Sequence, residues 1–212
     1  MYLPPPLNPA DLRPLLYAWK RGDPFLRCHD SSFGASEFNP RRDVSMRFRP
    51  FSSRGRTVPT LYGSATISGA LSETLLHLVP ATGHDRRLRQ SKLVAHVIST
   101  LASRRDLQLV DLRDEALDDL GMARAGLIES PPAAYPETAA WASAFFHCRS
   151  RPDGLVWNSR QERESLAFVL FARGRVDRRD LDVVVPPEPL ALGDGLDRVY
   201  EVAEQLDLTI II

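Results

Sequence analysis

Lysine is almost missing from this 212-residue chain: it occurs only at Lys20 and Lys92, so nearly all the positive charge is arginine. Any anion site must therefore be built from guanidinium forks, which grip phosphate bidentately. Cysteine is as scarce. Cys28 and Cys148 stand alone, which fits neither a disulfide framework nor a CxxC metal site and points to a reduced, cytoplasmic setting. Net charge is missing too, with 27 basic residues against 27 acidic. That balance gives no reason to expect direct binding to nucleic acid or to an acidic membrane surface. No apolar run approaches a membrane span. The N-terminus, MYLPPPLNPADLRPLLYAWKRG, lacks a charged segment followed by a long apolar one and does not read as a signal peptide. The histidines, His29, His77, His84, His96 and His147, form no HExxH or HxH pair, which argues against a zinc hydrolase; no metal is expected. There is no Walker A motif, no GxGxxG and no GxSxG elbow around Ser159, so neither a nucleotide-cofactor domain nor a serine hydrolase is indicated.

What remains is ordinary for a globular chain: 43% hydrophobic and 25% charged. The length suggests one domain over 1–212, enough to bury a sizeable core. Residues 3–9 are Pro-rich and should be extended. Asp11 to Lys20 reads as a short amphipathic helix opened by Asn8 or Asp11. PFLRCH, 24–29, reads as a strand. Residues 30–57 read as long loops around a short strand, and long loops in compact domains are often functional. TVPTLYGS is a second strand, followed by a helix over 69–79 with Ser68 as N-cap. KLVAHVIST (92–100) and LQLVDL (107–112) read as strands. Residues 113–121 and 136–148 look helical. PDGLVWNSR (152–160) is a turn, a short strand and a polar edge. SLAFVLFA (165–172) is a continuous apolar run, hence a buried central strand. Val183 to Val185 suggest another strand, and GLDRVYEVAEQL (195–206) a helix before a terminal LTIII that suits sheet burial or an interface. Strands and helices alternate irregularly, which predicts an α+β domain.

One carboxylate stands out. In VPTLYGSATISGALSETLLHLVP, Ile67, Leu71, Thr74, Leu75 and Leu78 share a helical face and Glu73 lies nearly opposite. A lone glutamate so placed is ordinarily a solvated charge. Against that, Gly69 and Leu76 flank Glu73 on its own side, and His77 is within hydrogen-bond reach. Both faces would then be covered, with Glu73 lining a cleft. Arg27 is a second oddity, an arginine inside the apolar strand PFLRCH. Arg47 and Arg49 bracket Phe48 in MRFRP; strand alternation would point both arginines one way, either to a surface edge or to a phosphate. Tyr62 ends the strand before the Glu73 helix. Ser159-Arg160 follows a strand, where a serine is usually a cap.

Together FLRCH, RFRP, VPTLYGSATISGALSE and DGLVWNSR followed by LAFVLF resemble the RES-domain family, named for its Arg, Glu and Ser residues and known as the toxin half of bacterial toxin–antitoxin pairs. The resemblance runs over about residues 20–175. The ends, an N-terminal extension 1–20 and a C-terminal helix and strand 190–212, fall outside it. It implies a mixed, mostly antiparallel twisted β core flanked by helices, like the core of ADP-ribosyltransferase toxins. It implies a toxin that degrades NAD, as substrate and not cofactor, by phosphorolysis or hydrolysis of the nicotinamide–ribose bond, with inorganic phosphate as a possible co-substrate. ADP-ribosyl transfer to a protein, or binding without turnover, are the alternatives. Carried over residue by residue, the match makes Arg27, Tyr62, Glu73 and Ser159 the catalytic set. Arg47 joins Arg27 on the pyrophosphate, and Arg49, Arg160 and His77 are further substrate-binding candidates. Phe33 and Phe38 stand in the loop where relatives offer a tyrosine, and SSRGR adds charge after Arg47. A toxin further implies an antitoxin of the Xre, helix-turn-helix type that blocks the cleft, in a hetero-oligomer. The chemistry suits the residues: bond cleavage builds oxocarbenium-like charge on the ribose, which a carboxylate can stabilise.

Overall fold

The structure is a computed structural model that describes residues 3–212 apart from Pro5, Leu7 and His84. The expected extended conformation at Pro5 and Leu7, and any part for His84, lie outside the described residues. In chain order the first elements are β1 (Leu16–Trp19), β2 (Pro24–Asp30), β3 (Phe51–Ser53), β4 (Arg56–Val58), β5 (Thr60–Ser64) and α1 (Ile67–Thr74). Then come β6 (Arg87–Arg89), β7 (His96–Ser103), β8 (Leu107–Asp111), α2 (Asp114–Asp119), α3 (Arg124–Leu127) and α4 (Tyr135–His147). The chain closes with β9 (Gly154–Asn158), β10 (Leu166–Phe171), β11 (Leu181–Pro189), α5 (Gly193–Gln205) and β12 (Thr209–Ile211).

The apolar run is β10, at the centre of an eight-stranded sheet ordered β1-β8-β9-β10-β5-β2-β7-β11. Only β8 and β9 run parallel; the other neighbours are antiparallel. Ala167, Val169 and Phe171 pack on one face, Phe168 and Leu170 on the other. A strand covered on both sides needs apolar residues at every position, which is why its sequence does not alternate. On the first face α4 and the loops around α2 and α3 bury Val169 and Trp157, while α1 and α5 bury Leu26 and Cys28. The second face closes on itself: Trp19, Phe25 and Phe168 meet with ring centroids 4.9–6.3 Å apart.

One seam in this sheet is weak. β2 pairs with β7 at seven positions, yet meets β5 at a single pair, Leu26–Ser64. Below that pair the two strands are free to part, and a cleft opens there.

The structure corrects several sequence expectations. Asp11 to Lys20 is not a helix: residues 16–19 form β1, paired antiparallel to β8. Pro14 has no N–H to give to a helix, and strand alternation puts Tyr17 and Trp19 together against the second-face core. TVPTLYGS is two strands, β4 and β5, separated at Pro59. MRFRP is a turn and not a strand, so Arg47 and Phe48 are both buried instead of pointing apart. β7 begins at His96, after a 3₁₀ turn over Gln90–Lys92. The short α3 was not foreseen. Helix α1 is capped by Thr66, whose hydroxyl accepts from the Gly69 N–H, and not by Ser68. It stops at Thr74, leaving Leu78 exposed instead of in the core. The terminal LTIII forms β12, parallel to β6 in a small second sheet; Ile210 packs inward and Ile212 is exposed.

Gly154 marks the tightest strand contact, because a Cβ there would run into the carbonyl oxygen of Val169 on β10. Gly154→Ala is expected to cost about 1–3 kcal/mol in urea unfolding, as overpacking does. An unchanged midpoint would show that β9 and β10 lie further apart than this.

Candidate active site

Glu73 lies in the last turn of a helix whose residues 68–73 are all buried. Ala70 and Leu71 pack against Leu26 and Cys28. The other side of the helix is covered by the segment after β9. Glu73 itself is 6% exposed. Its Oε1 accepts from the Ser159 hydroxyl at 3.0 Å and from the Trp157 indole N–H at 3.3 Å. Its Oε2 accepts from Arg47 at 3.4 Å, a buried ion pair. A carboxylate cannot be taken out of water without such partners. Trp157 and Ser159 reach it together because residues two apart along an extended strand point the same way.

Arg47 is held by its backbone. The Thr138 hydroxyl on α4 donates to the Arg47 carbonyl, and the Phe48 N–H donates to the Tyr62 hydroxyl at 2.8 Å. The Phe48 ring packs edge-on against Trp157, centroids 5.1 Å apart. The contact to Glu73 is long for a charge-assisted bond, and the buried Nε of Arg47 has no partner among the described residues. A small cavity of about 10 Å³, close to the room one water needs, is lined by Met46, Arg47, Tyr62, Glu73, His77 and Tyr135.

Residues 159–165 clamp α1 along its length. Ser159 bonds Glu73. Arg160 donates to the carbonyls of His77 and Val79, and Gln161 to those of Leu76 and Val79. The Glu162 carboxylate accepts from Thr66 and Ser68 at the helix start, and Ser165 bonds Thr66 and Ser64. Beyond Thr74 the carbonyls of Leu76, His77 and Val79 are taken by these side chains, and His77 Nδ1 bonds the Thr74 oxygen.

Met46, Tyr62 and His77 also line a larger cleft of about 390 Å³ at the β2–β5 seam, within the range of small-molecule sites. These three residues form the wall between cleft and cavity. Arg27, His29, Phe33, Arg41 and His96 lie along the cleft. Arg27 sits on the opposite face of β2 from Leu26 and Cys28, and donates to the carbonyls of Gly34 and Ala35. Burial lowers its pKa to about 10, so it stays charged at neutral pH. Arg41 stacks over the Phe33 ring at 5.1 Å. Burial pulls His29 down to about 4, with Arg27 adding to the effect, and lowers His77; both are neutral at pH 7. Burial pushes the Cys28 thiol up to about 12, which keeps it inert, and raises Tyr62 above the usual phenol range.

Of the residues singled out in the sequence, Glu73, Arg47, Tyr62 and His77 meet around one cavity, with Ser159 bonded to Glu73. Arg27 stands in the adjoining cleft. Arg160 is spent on the backbone beyond α1. Arg49 faces a separate depression with Arg42 and Pro136. Phe33 lines the cleft, whereas Phe38 packs against the second-face core. His77 bonds a carbonyl and not Glu73. Trp157, Met46, Tyr135 and Arg41 were not singled out. Trp157 was findable, two residues before Ser159 on the same strand face; nothing in the sequence marks the others. Among the described residues no group of three or more His, Cys, Asp or Glu side chains could hold a metal ion, and no helix is long and apolar enough to cross a membrane.

Residues 24–193 match the family model of the RES domain, which extends past the resemblance seen in the sequence to take in β11. No curated protein matches. Among solved structures, the fold is similar to a chain of the M. tuberculosis MbcT–MbcA toxin–antitoxin complex, with a TM-score of 0.57 over 80% of this chain and 84% of that one at 16% identity. At that identity the likeness shows the fold, an α+β domain with a curled, mostly antiparallel sheet.

Two stability measurements check the site. Arg47→Met alone strands a buried carboxylate and should cost about 3–5 kcal/mol, while Arg47→Met with Glu73→Leu should recover much of it. Strictly additive losses would contradict the pairing. His29 yields a pH dependence. Above about pH 6.5 it is neutral folded and unfolded; below that the unfolded chain takes a proton the folded one refuses, so stability falls as pH drops from about 6.5 toward about 4. His29→Gln should flatten that part of the urea-stability profile, and an unaltered acid limb would show that His29 is not the group responsible.

Proposed function

We propose, from the premise that this chain belongs to the RES domain family, that it is the toxin of a toxin–antitoxin pair and acts by cleaving the nicotinamide–ribose bond of NAD. The observation that carries this reading is the buried Glu73 carboxylate, held by Ser159, Trp157 and Arg47 beside a cavity that adjoins an arginine-lined cleft.

Heterolysis of the bond sends its electron pair to the nicotinamide nitrogen, which leaves neutral. The ribose C1′ is left with oxocarbenium-like charge. A carboxylate fixed in advance in a water-poor site stabilises that charge more than water could, and does so without reorganising at the moment of reaction. Ser159 and Trp157 hold Oε1, so the carboxylate is aimed by two neutral donors. Ser159 acts by position: its hydroxyl donates to Glu73 Oε1 and so aims the carboxylate. Arg47 pairs with Glu73 and has its Nε, without a partner among the described residues, to offer a ribose hydroxyl or an attacking oxygen. The pyrophosphate is assigned to Arg27 and Arg41 in the cleft. This revises the pairing of Arg27 with Arg47, because Arg47 is committed to Glu73. Arg49 is given no part, and Arg160 a structural one. Water or inorganic phosphate then attacks C1′.

The likeness to a chain of a toxin–antitoxin complex supports a protein partner that covers the cleft. Its Xre, helix-turn-helix type rests on the resemblance seen in the sequence. Two buried free thiols suit a reducing cytoplasm.

Purified protein should release nicotinamide from NAD. ADP-ribose as co-product marks hydrolysis, and ADP-ribose 1″-phosphate, formed only with phosphate present, marks phosphorolysis. Arg41→Ala, on an exposed loop, should raise KM by about tenfold or more with a smaller change in kcat, as expected for a lost charge-assisted contact to phosphate. NAD left intact with and without phosphate, with no growth arrest on induction, would sink the reading. Label from NAD appearing on protein would replace it with ADP-ribosyl transfer.

A further inference from the structure

A concavity larger than the cleft lies elsewhere on the molecule. It is an open groove of about 920 Å³ on the far side of β3, β4 and α4, and it shares no lining residue with the cleft. Six arginines line it, and no carboxylate does: Arg54, Arg56, Arg149, Arg151, Arg173 and Arg175. They come as three Arg-x-Arg triplets, RGR at 54–56, RSR at 149–151 and RGR at 173–175, from three separate turns that the fold brings together. All but the half-buried Arg175 are exposed. None takes part in an ion pair among the described residues, whereas Arg47, Arg104, Arg105, Arg113, Arg124 and Arg198 all do. Asp153 lies near, but its carboxylate is already held by both nitrogens of Arg105.

The turns are built to carry these side chains. Arg54, Arg151 and Arg173 have φ of 49°, 49° and 61°, the left-handed region where a non-glycine residue is uncommon. Arg54-Gly55 and Arg173-Gly174 each have two positive φ in succession, the geometry of a turn whose first position normally takes Asn or Gly. Arginine is the strained choice there, and strain of this kind gathers at functional sites. The frame beneath is fixed. Ser53 bonds His147 at 3.0 Å, tying the β3–β4 hairpin to the end of α4. Arg175 donates to the Phe146 carbonyl and stacks over its ring at 4.7 Å.

We propose that these three Arg-x-Arg turns form a binding site for the phosphodiester backbone of a nucleic acid, without readout of sequence. Guanidinium forks match phosphate oxygens. A protein partner would want an apolar anchor, and the apolar residues of the groove, Val58, Phe146 and Cys148, are buried beneath the arginines. A free nucleotide would want a ring to stack on, and the Phe146 face is taken by Arg175. The zero net charge, which gave no reason to expect nucleic acid, hides this: charge of the two signs is balanced over the chain but separated in space.

The test is fluorescence anisotropy of the purified chain with a short labelled DNA duplex and a short labelled single-stranded RNA, each in several sequences, across a salt series. Duplex affinity should be independent of sequence and fall with salt at a log–log slope of about −4 to −5, at about 0.9 per phosphate contact for the five exposed arginines. Arg56→Glu with Arg149→Glu, both on ordinary backbone, should lower affinity at least about tenfold and flatten the slope by about 2. Arg21→Glu, exposed in the β1–β2 turn, should leave both unchanged. Circular dichroism of the double variant should match the parent. An unaltered slope in that variant overturns the proposal, as does binding of inorganic polyphosphate or polyglutamate with neither nucleic acid bound. RNA binding with no duplex binding, or the reverse, keeps the proposal and identifies the source of the backbone. None of these readouts depends on NAD turnover.

Discussion

The fold is organised around one carboxylate that is buried and held by three donors. Glu73 is held by a guanidinium, a hydroxyl and an indole N–H, and each donor needs its own support. Arg47 rides on a turn pinned by Tyr62 and Thr138. Ser159 and Trp157 sit at the end of β9, where strand geometry aims them together. The helix that carries Glu73 is gripped at both ends by residues 159–165. A buried carboxylate that loses any of these partners faces the full cost of desolvation, so the parts are mutually dependent. The same segment that supplies Ser159 also supplies the clamp, which couples the position of the helix to the position of its hydrogen-bond donor.

The loose part of this arrangement is as informative as the tight part. The Arg47–Glu73 contact is long, the Arg47 Nε is unpartnered, and a cavity the size of a water adjoins both. A site that was purely structural would be expected to close up, since buried polar groups rarely go without partners. The β2–β5 seam has the same character at larger scale. Sheets gain by pairing along their length, yet these strands share one pair, and the gap is lined by Arg27 and Arg41.

Much of the fold was legible in the sequence because it rests on local pattern. The continuous apolar run of β10, the alternation in β7 and β8, and the helical patterns of α4 and α5 each state their environment directly. Asp11 to Lys20 failed because ten residues of mixed pattern fit both periods, and pairing with β8 decided the outcome. Helix α1 was drawn too long because its apolar pattern continues past Thr74 into a segment whose carbonyls are held by Arg160 and Gln161, more than eighty residues away. The wheel set Glu73 opposite Leu71, but it also put Leu78 in the core, where the structure leaves it exposed, and Leu76 on the Glu73 side, where the structure packs it with Leu71; a wheel cannot say what covers a face. Arg27 and Glu73 were both noticed as misplaced charges. That β2 sets them on opposite sides of a strand, joined only through a gap in the sheet, depends on topology. The arginine groove was invisible for the same reason, since its three triplets are distant along the chain and meet only when folded.

The account turns on Glu73 stabilising charge in the transition state and not merely holding substrate. Glu73→Gln keeps the shape of the side chain and an oxygen for Ser159 and Trp157, while removing the charge. With folding confirmed by circular dichroism, NAD affinity by calorimetry should stay within a few-fold of the parent, and nicotinamide release at saturating NAD should fall by about 10² or more, the scale of a lost electrostatic contact in a dry site. Release at near-parental kcat, or a loss accounted for wholly by weaker NAD binding, would contradict it.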